Sequence, residues 1–322
     1  MTSKDRFLAA VRHQKPDRAP FNFWMDRPVM AAYEKKVGHR HWRVTHFGAD
    51  VIETFPAIAC LPAPPLTDGP YALATEPTFE WQHAAALPMP DPQQADIYAL
   101  IAADVREFPT HAVILDKITP WGHIAGARTY EKIYMDMYDY PGEFHALSRS
   151  ITDTLKVVVE RACTMGITAL YLMEDLADRN GLSIAPAMIE EFCLAYANEL
   201  ADIARAHGVP VMWHCDGNVH DLLPLLRNIG VQVINPLQPH LNAAAAFKRE
   251  FGRDFAVYGG LDNCYTIPNE SAAAVRAHVL DVFATLGKPD GALIFSTHDI
   301  PVGTPEENLE MMVRTIKHEC VY

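Results

Sequence analysis

Short apolar runs bounded by turn-forming residues recur at 20–25 (PFNFWM), 50–55 (DVIETF), 112–116 (AVILD), 168–173 (TALYLM), 209–214 (VPVMWH), 231–235 (VQVIN), 254–259 (DFAVYG) and 291–296 (GALIFS). Their lengths and their content of β-branched and aromatic residues predict eight strands. From residue 141 onward these runs alternate with amphipathic stretches of helical length: 141–165, 186–207, 218–229, 241–251, 269–286 and 304–319. Parallel strands need a crossover of about a dozen residues, usually a helix, so the alternation predicts strand–helix units. Eight of them in 322 residues favour a closed (β/α)8 TIM barrel, with a doubly wound open sheet as the competing arrangement. The chain, 1–322, is read as a single domain.

One segment breaks the rhythm. Residues 56–111 are rich in proline, among them Pro56, Pro62, Pro64, Pro65, Pro70, Pro77, Pro88, Pro90 and Pro92, with a strand-like stretch from Thr78 to Gln82. It is read as an excursion after the second strand that covers part of the barrel mouth. The N-terminus, Thr2, Ser3, Lys4 and Asp5 followed by Phe7, Leu8 and Val11, predicts a capped amphipathic helix.

Composition narrows the partners. The formal net charge of −13, without a block of Lys or Arg, argues against a nucleic-acid partner, whose phosphates must be neutralised. A small molecule is the expected ligand. The six cysteines contain no CxxC pair, which points away from a zinc ribbon or disulfide scaffold and toward a reducing cytoplasm. No apolar stretch reaches the roughly 18 residues of a membrane span, so no membrane partner is expected. Dinucleotide, phosphate-loop and nucleophile-elbow motifs are all missing.

Reactive side chains gather where strands end. His214, Cys215 and Asp216 follow the run 209–212, and alternation along a strand puts His214 and Asp216 on one side and Cys215 on the other. Cys215 is therefore read as packing, not as a nucleophile beside His214. His298 ends the last strand, with Ala292, Ile294 and Ser296 on its face, and Glu174 and Asp175 end the fourth. In a closed barrel these groups converge over the axis, either as ligands of a divalent metal or as a metal-free acid–base cluster. Other rim polar residues are Asp26, Arg27, Asp116, Lys117, Asn235, Gln238, Asp262 and Asn263, each equally readable as a turn or cap former. Phe21, Phe23, Trp24, Trp121, Tyr258 and Tyr265 either wall a planar ligand or pack the barrel. His41, His46, His111, His123, His220 and His240 have no partner spacing that assigns them a role.

The chain resembles the uroporphyrinogen decarboxylase superfamily, and within it the corrinoid (cobalamin)-dependent methyltransferases. The resemblance runs through SKDRFLAAV at 3–11, PDRAP at 16–20, FGADV at 47–51, HCDGN at 214–218, IGVQVINP at 229–236, GGLD at 259–262 and THDIPVGTPEEN at 297–308. It implies a TIM barrel with its active site in the C-terminal mouth. Decarboxylases of the superfamily carry an arginine-rich segment after the first strand that holds porphyrinogen carboxylates, whereas this chain reads Trp24-Met25-Asp26-Arg27-Pro28. Methyltransferases of the corrinoid branch carry an H-x-C motif and a later Cys as zinc ligands. Here the matching positions are His214-x-Asp216 and His298, so both thiolates give way to harder donors that leave zinc more Lewis-acidic.

The resemblance thus implies a zinc-dependent methyltransferase, with zinc or another divalent metal on His214, Asp216, His298 and Glu174. Glu174 is preferred to Asp175 as the strand-four acid. Asp299 and Asp262 are expected as the catalytic proton relay or as orienting groups, and Asn235 and Gln238 as cofactor-binding residues. The expected chemistry is O-demethylation: a methyl group passes between a small, methoxylated aromatic substrate and a corrinoid on a separate carrier protein, in either direction. A homodimer is compatible with this reading. The competing readings are a metal-free decarboxylase-like lyase acting on a smaller acid, and a non-catalytic binding module.

Overall fold

The computed structural model describes residues 1–62, 76–116 and 118–322. Lys117 and the excursion residues Pro64, Pro65 and Pro70 lie outside the described residues. The strands are β1 (Trp24–Met25), β2 (Val51–Thr54), β3 (Ala112–Asp116), β4 (Ala169–Met173), β5 (Ala177–Asp178), β6 (Gly181–Leu182), β7 (Val211–His214), β8 (Val233–Asn235), β9 (Ala256–Gly260), β10 (Leu293–Ser296) and β11 (Asp299–Ile300). Seven of them form a curled parallel sheet in the order β10-β9-β8-β7-β4-β3-β2. The segment 20–25 fills the gap between the sheet's two edges. Its β1 pairs with β11, Phe21 bridges Phe295, and the Asp50 N–H donates to the Phe21 carbonyl at 2.8 Å. The fold is TIM-barrel-like, as the strand–helix alternation predicts.

The helices are α1 (Ser3–Val11), α2 (Arg27–Val37), α3 (Trp42–Thr45), α4 (Ala99–Glu107), α5 (Pro120–Ala127), α6 (Tyr130–Asp139), α7 (Pro141–Met165), α8 (Pro186–Ile189), α9 (Ala195–Ala206), α10 (Leu223–Asn228), α11 (Ala244–Glu250), α12 (Thr266–Asn269), α13 (Ala272–Val282) and α14 (Glu306–Glu319). α1 has the expected cap: the Thr2 hydroxyl accepts from the Asp5 N–H while the Asp5 carboxylate accepts from the Thr2 N–H. Its Phe7, Ala10 and Val11 pack with Val51, Ala112, Ala169, Met212, Val233, Ala256 and Ala292, the inward residues of the strands. α1 therefore plugs the barrel from below, and the mouth is left to the strands' C-terminal ends.

Three expectations need adjusting. Thr78–Gln82 forms no strand, since the sheet edges are already paired. Trp81 instead opens a 3-10 helix (Trp81–Ala86) and stacks on Phe144 of α7 at 5.4 Å. The end of the excursion is regular, because α4 is the crossover from β2 to β3. The helix expected from residue 218 starts only at Leu223, where Pro224, lacking an N–H, fits the first turn.

Candidate metal centre and mouth of the barrel

The inner layer of the barrel dictates which side chains reach the mouth. Tyr171, Met212 and Tyr258 belong to the inner cluster, so one strand step further Met173 and His214 point inward too, and Met173 pairs with His214 in register. His214 is buried, and its Nδ1 lies 2.6 Å from Asn235 Oδ1. The amide of Asn235 is itself oriented, because its Nδ2 donates to the Tyr258 carbonyl at 2.6 Å. Tyr171 donates its hydroxyl to the same Oδ1 at 2.5 Å. An oxygen acceptor at Nδ1 requires Nδ1–H, which leaves the lone pair on His214 Nε2 facing the mouth.

Around that nitrogen stand the other donors. Asp216 Oδ1 is 3.9 Å and Asp175 Oδ1 is 3.6 Å from His214 Nε2, and Asp216 Oδ2 is 3.1 Å from His298 Nε2. One donor atom each from His214, Asp216 and His298 lies within 4.8 Å of the others. Asp216 Oδ1 is buried and has no hydrogen-bond partner among the described residues. Tetrahedral zinc with bonds of about 2.0–2.1 Å holds neighbouring donors about 3.4 Å apart. The histidine–aspartate separations of 3.1 and 3.9 Å bracket that value, so the residues fit a small divalent ion. Two imidazoles and a carboxylate suit zinc.

Charge in the mouth is strongly coupled. Burial disfavours protonated His298, but the hydrogen bond and charge of Asp216, helped by Asp299 and Asp175, raise it to about 9. Asp216 is lowered: burial opposes its charge, and His298 and His214 overcome that. Asp299 is raised by burial, with Asp26 and Asp216 adding to the effect against His298 and His214.

Several expected residues have other tasks. Glu174 is not among the residues brought together with His214, Asp216 and His298: with Tyr171 and Met173 pointing inward, strict alternation sends Glu174 to the opposite side and Asp175 inward. Its Oε1 accepts the Gly122 N–H at 3.0 Å in the first turn of α5, and burial raises its carboxyl well above the usual range despite hydrogen bonds from Thr119 and Gly122. Asn235, expected at a cofactor, has both ends of its amide engaged, one with His214 Nδ1 and the other with the Tyr258 carbonyl. Gln238 Oε1 accepts the Gly217 N–H at 2.9 Å and secures the turn after Asp216. That turn needs glycine, since Gly217 has φ +92° and a Cβ there would lie 2.5 Å from the Asp178 carbonyl oxygen.

Asp262 is brought to His240 and Cys264, not to His214. Both of its oxygens are engaged, accepting from the N–H groups of Cys264, Tyr265 and Thr266 and from the Thr266 hydroxyl, which makes it a cap ahead of α12. Cys215 is buried between β7 and the loop after β4, accepting the Leu176 N–H at 3.3 Å, and burial raises its thiol, as expected for a packing residue. Of the six aromatics, Phe21, Phe23, Trp121 and Tyr258 are buried in the barrel wall and core. Trp24 stacks under Arg43 at 4.6 Å, and Tyr265 is exposed. Asp26 accepts the Val302 N–H, and Asn263 donates to the Asp299 carbonyl. Tyr171 was missed in the sequence, because its place on the inner face is set by packing with Met212 and Tyr258 of other strands.

A family model described as uroporphyrinogen decarboxylase (URO-D) matches residues 66–319. The chain belongs to the uroporphyrinogen decarboxylase family. Family relatives include a uroporphyrinogen decarboxylase of Anaeromyxobacter sp. (strain Fw109-5), 24% identical over 59% of this chain and 52% of that protein. Another is the chloroplastic uroporphyrinogen decarboxylase 2 of Arabidopsis thaliana, 26% identical over 57% and 44%. The aligned stretch thus spans about half the length of these curated relatives. In fold, the chain is similar to a methyltransferase from Methanosarcina mazei, with a TM-score of 0.71 over 98% of each chain at 13% identity. This uroporphyrinogen decarboxylase family barrel has, among the described residues, no helix long and apolar enough to cross a membrane.

Proposed function

We propose that this chain is a zinc-dependent methyltransferase that moves a methyl group between a small methoxylated aromatic substrate and a corrinoid held on a separate carrier protein. The observation that carries the reading is the convergence of His214, Asp216 and His298 with the His214 Nε2 lone pair turned into the mouth. The fold likeness to a methyltransferase supports the same class. Bound there, zinc supplies Lewis acidity toward an ether oxygen, and the corrinoid supplies a low-valent cobalt that accepts the methyl group.

The residues divide the remaining work. His214, Asp216 and His298 hold the ion, and Asn235 and Tyr171 keep the His214 ring in its ligating tautomer. Asp299, beside His298, delivers a proton to the departing oxygen or removes one in the reverse direction.

A second reading is a metal-free lyase acting on a small carboxylic acid. It is favoured by the 3.1 Å His298–Asp216 pair, which is a complete ion pair without a metal, and by the decarboxylase names of the curated relatives. The deciding experiment gives purified, zinc-loaded protein cob(I)alamin and 2-methoxyphenol and follows the methylcobalamin spectrum. Methylcobalamin formed by the wild type and lost in Asp216→Ala supports the methyltransferase. Carbon dioxide release from a small acid by metal-free protein, with no methylcobalamin, supports the lyase.

A further inference from the structure

The sheet brings a second set of metal-binding side chains to the mouth. His240 follows β8 in the loop before α11, and Asp262 and Cys264 follow β9 in the loop before α12. β8 and β9 are paired parallel neighbours, so the loops at their C-terminal ends stand side by side. One donor atom each of His240, Asp262 and Cys264 lies within 4.8 Å of the others, as a group separate from His214, Asp216 and His298.

Asp262 is the fixed member. Its carboxylate accepts from the N–H groups of Cys264, Tyr265 and Thr266 and from the Thr266 hydroxyl, which lock its orientation. Carboxylates that ligate metals are themselves hydrogen-bonded in this way, since such bonds orient the group and leave its charge in place. His240 and Cys264 are the adjustable members, and both are exposed. The His240 ring meets Tyr265 edge-on with centroids 5.8 Å apart, and its nitrogens have no hydrogen-bond partner among the described residues. The Cys264 thiol donates over a long 3.9 Å to Asn263 Oδ1. Tetrahedral zinc with one sulfur and two lighter donors holds neighbours about 3.4–3.6 Å apart, a contraction that rotation of the two exposed side chains supplies. One imidazole, one thiolate and a single carboxylate select zinc or cobalt(II) over magnesium and calcium, which take mostly oxygen.

We propose that His240, Asp262 and Cys264 form a second divalent-cation site, specific for zinc-like ions, that ties the loop after β8 to the loop after β9. The site is independent of the His214 centre and of the methyltransferase reading. On binding, the Cys264 thiol gives its proton to solvent and a sulfur–metal bond forms. The loop after β8 also carries Gln238, which accepts the Gly217 N–H at 2.9 Å, and Asn242, which donates to the Gly217 carbonyl at 2.8 Å. An ion at His240 therefore clamps the loop that supports the turn after Asp216. Ordering two exposed side chains costs entropy, so this is the weaker of the two sites: it fills under titration and empties on buffer exchange.

The test is titration of the full chain with cobalt(II), followed by the near-ultraviolet sulfur-to-cobalt charge-transfer absorption. That signal separates the sites, because His214, Asp216 and His298 offer no sulfur and the five cysteines other than Cys264 are buried. The expected result is a charge-transfer band that persists in His214→Ala and disappears in Cys264→Ser. In His240→Ala the band appears with at least about tenfold weaker affinity, the low end for loss of a group that merely supports a ligand. Circular dichroism checks that the variants, all but His214→Ala at exposed positions, stay folded. No charge-transfer band in the wild type at saturating cobalt(II) overturns the proposal. So does a band that survives Cys264→Ser, one whose affinity is unchanged in His240→Ala, or one that is lost in a folded His214→Ala protein. None of these readings uses turnover, so failure of methyl transfer leaves them as they stand.

Discussion

Asn235 Oδ1 stands 2.6 Å from His214 Nδ1, and the far end of the same amide is fixed on the Tyr258 carbonyl at 2.6 Å. One side chain thereby determines which nitrogen of His214 faces the mouth. Partners of this kind raise a ligand's basicity and remove its rotational freedom.

From this relationship, Asn235→Ala weakens zinc binding about 10–100-fold while the barrel stays folded. Competition with a chromogenic chelator measures the affinity, and circular dichroism checks the fold. Tyr171→Phe produces a smaller loss, because it removes the hydroxyl that braces Asn235 and leaves the His214 contact intact.

Glu174 and Asp175 separate cleanly. Glu174→Gln leaves the zinc content unchanged, whereas Asp175→Asn, whose parent carboxylate is 3.6 Å from His214 Nε2 and accepts the Asp216 N–H at 3.0 Å, lowers zinc affinity. Metal analysis of the two variants checks this.

Glu174 also gives a pH signature. Its folded carboxyl is raised by burial, so the folded state binds a proton more tightly than the unfolded state, and stability falls as pH rises above the unfolded value of about 4.3. Chemical denaturation from pH 4 to 8 should show that decline in the wild type and less of it in Glu174→Gln.

The metal-free His298–Asp216 pair has the opposite limits at its two ends. His298 is raised to about 9, so its stabilisation is fully present below its unfolded value of about 6.5 and disappears as pH rises through 9. Asp216 is lowered, so its stabilisation is present above about 3.9 and disappears as pH falls through its depressed value. Melting of chelator-treated protein should therefore fall between pH 6.5 and 9 in the wild type, with that slope flattened in Asp216→Asn. Zinc removes the slope, since a ligating His298 no longer titrates with the pair.

What the sequence revealed about this site follows from strand periodicity. Alternation correctly joined His214 to Asp216 and set Cys215 aside as packing, because both inferences need only a local period of two. The same rule, started from Tyr171, selects Asp175 over Glu174, but that requires knowing which residues of β4 face inward. Such knowledge comes from the packing of Tyr171 with Met212 and Tyr258, which are distant in sequence. Asn235, Gln238 and Asp262 were read as cofactor or proton-handling groups because their side chains carry suitable atoms. Hydrogen bonds to His214, Gly217 and the start of α12 engage those atoms, and these partners appear only once β7, β8 and β9 stand side by side. The barrel was legible in the eight apolar runs, whereas the irregular chain between β2 and β3 was not, because proline-rich segments have no period to read.

The most direct test of the account is the zinc content of purified protein compared with its His214→Ala variant after identical zinc loading and buffer exchange. The account predicts about one equivalent of zinc in the wild type and almost none in a folded His214→Ala protein. Full retention of zinc by the variant, or no stoichiometric zinc in the wild type, contradicts it.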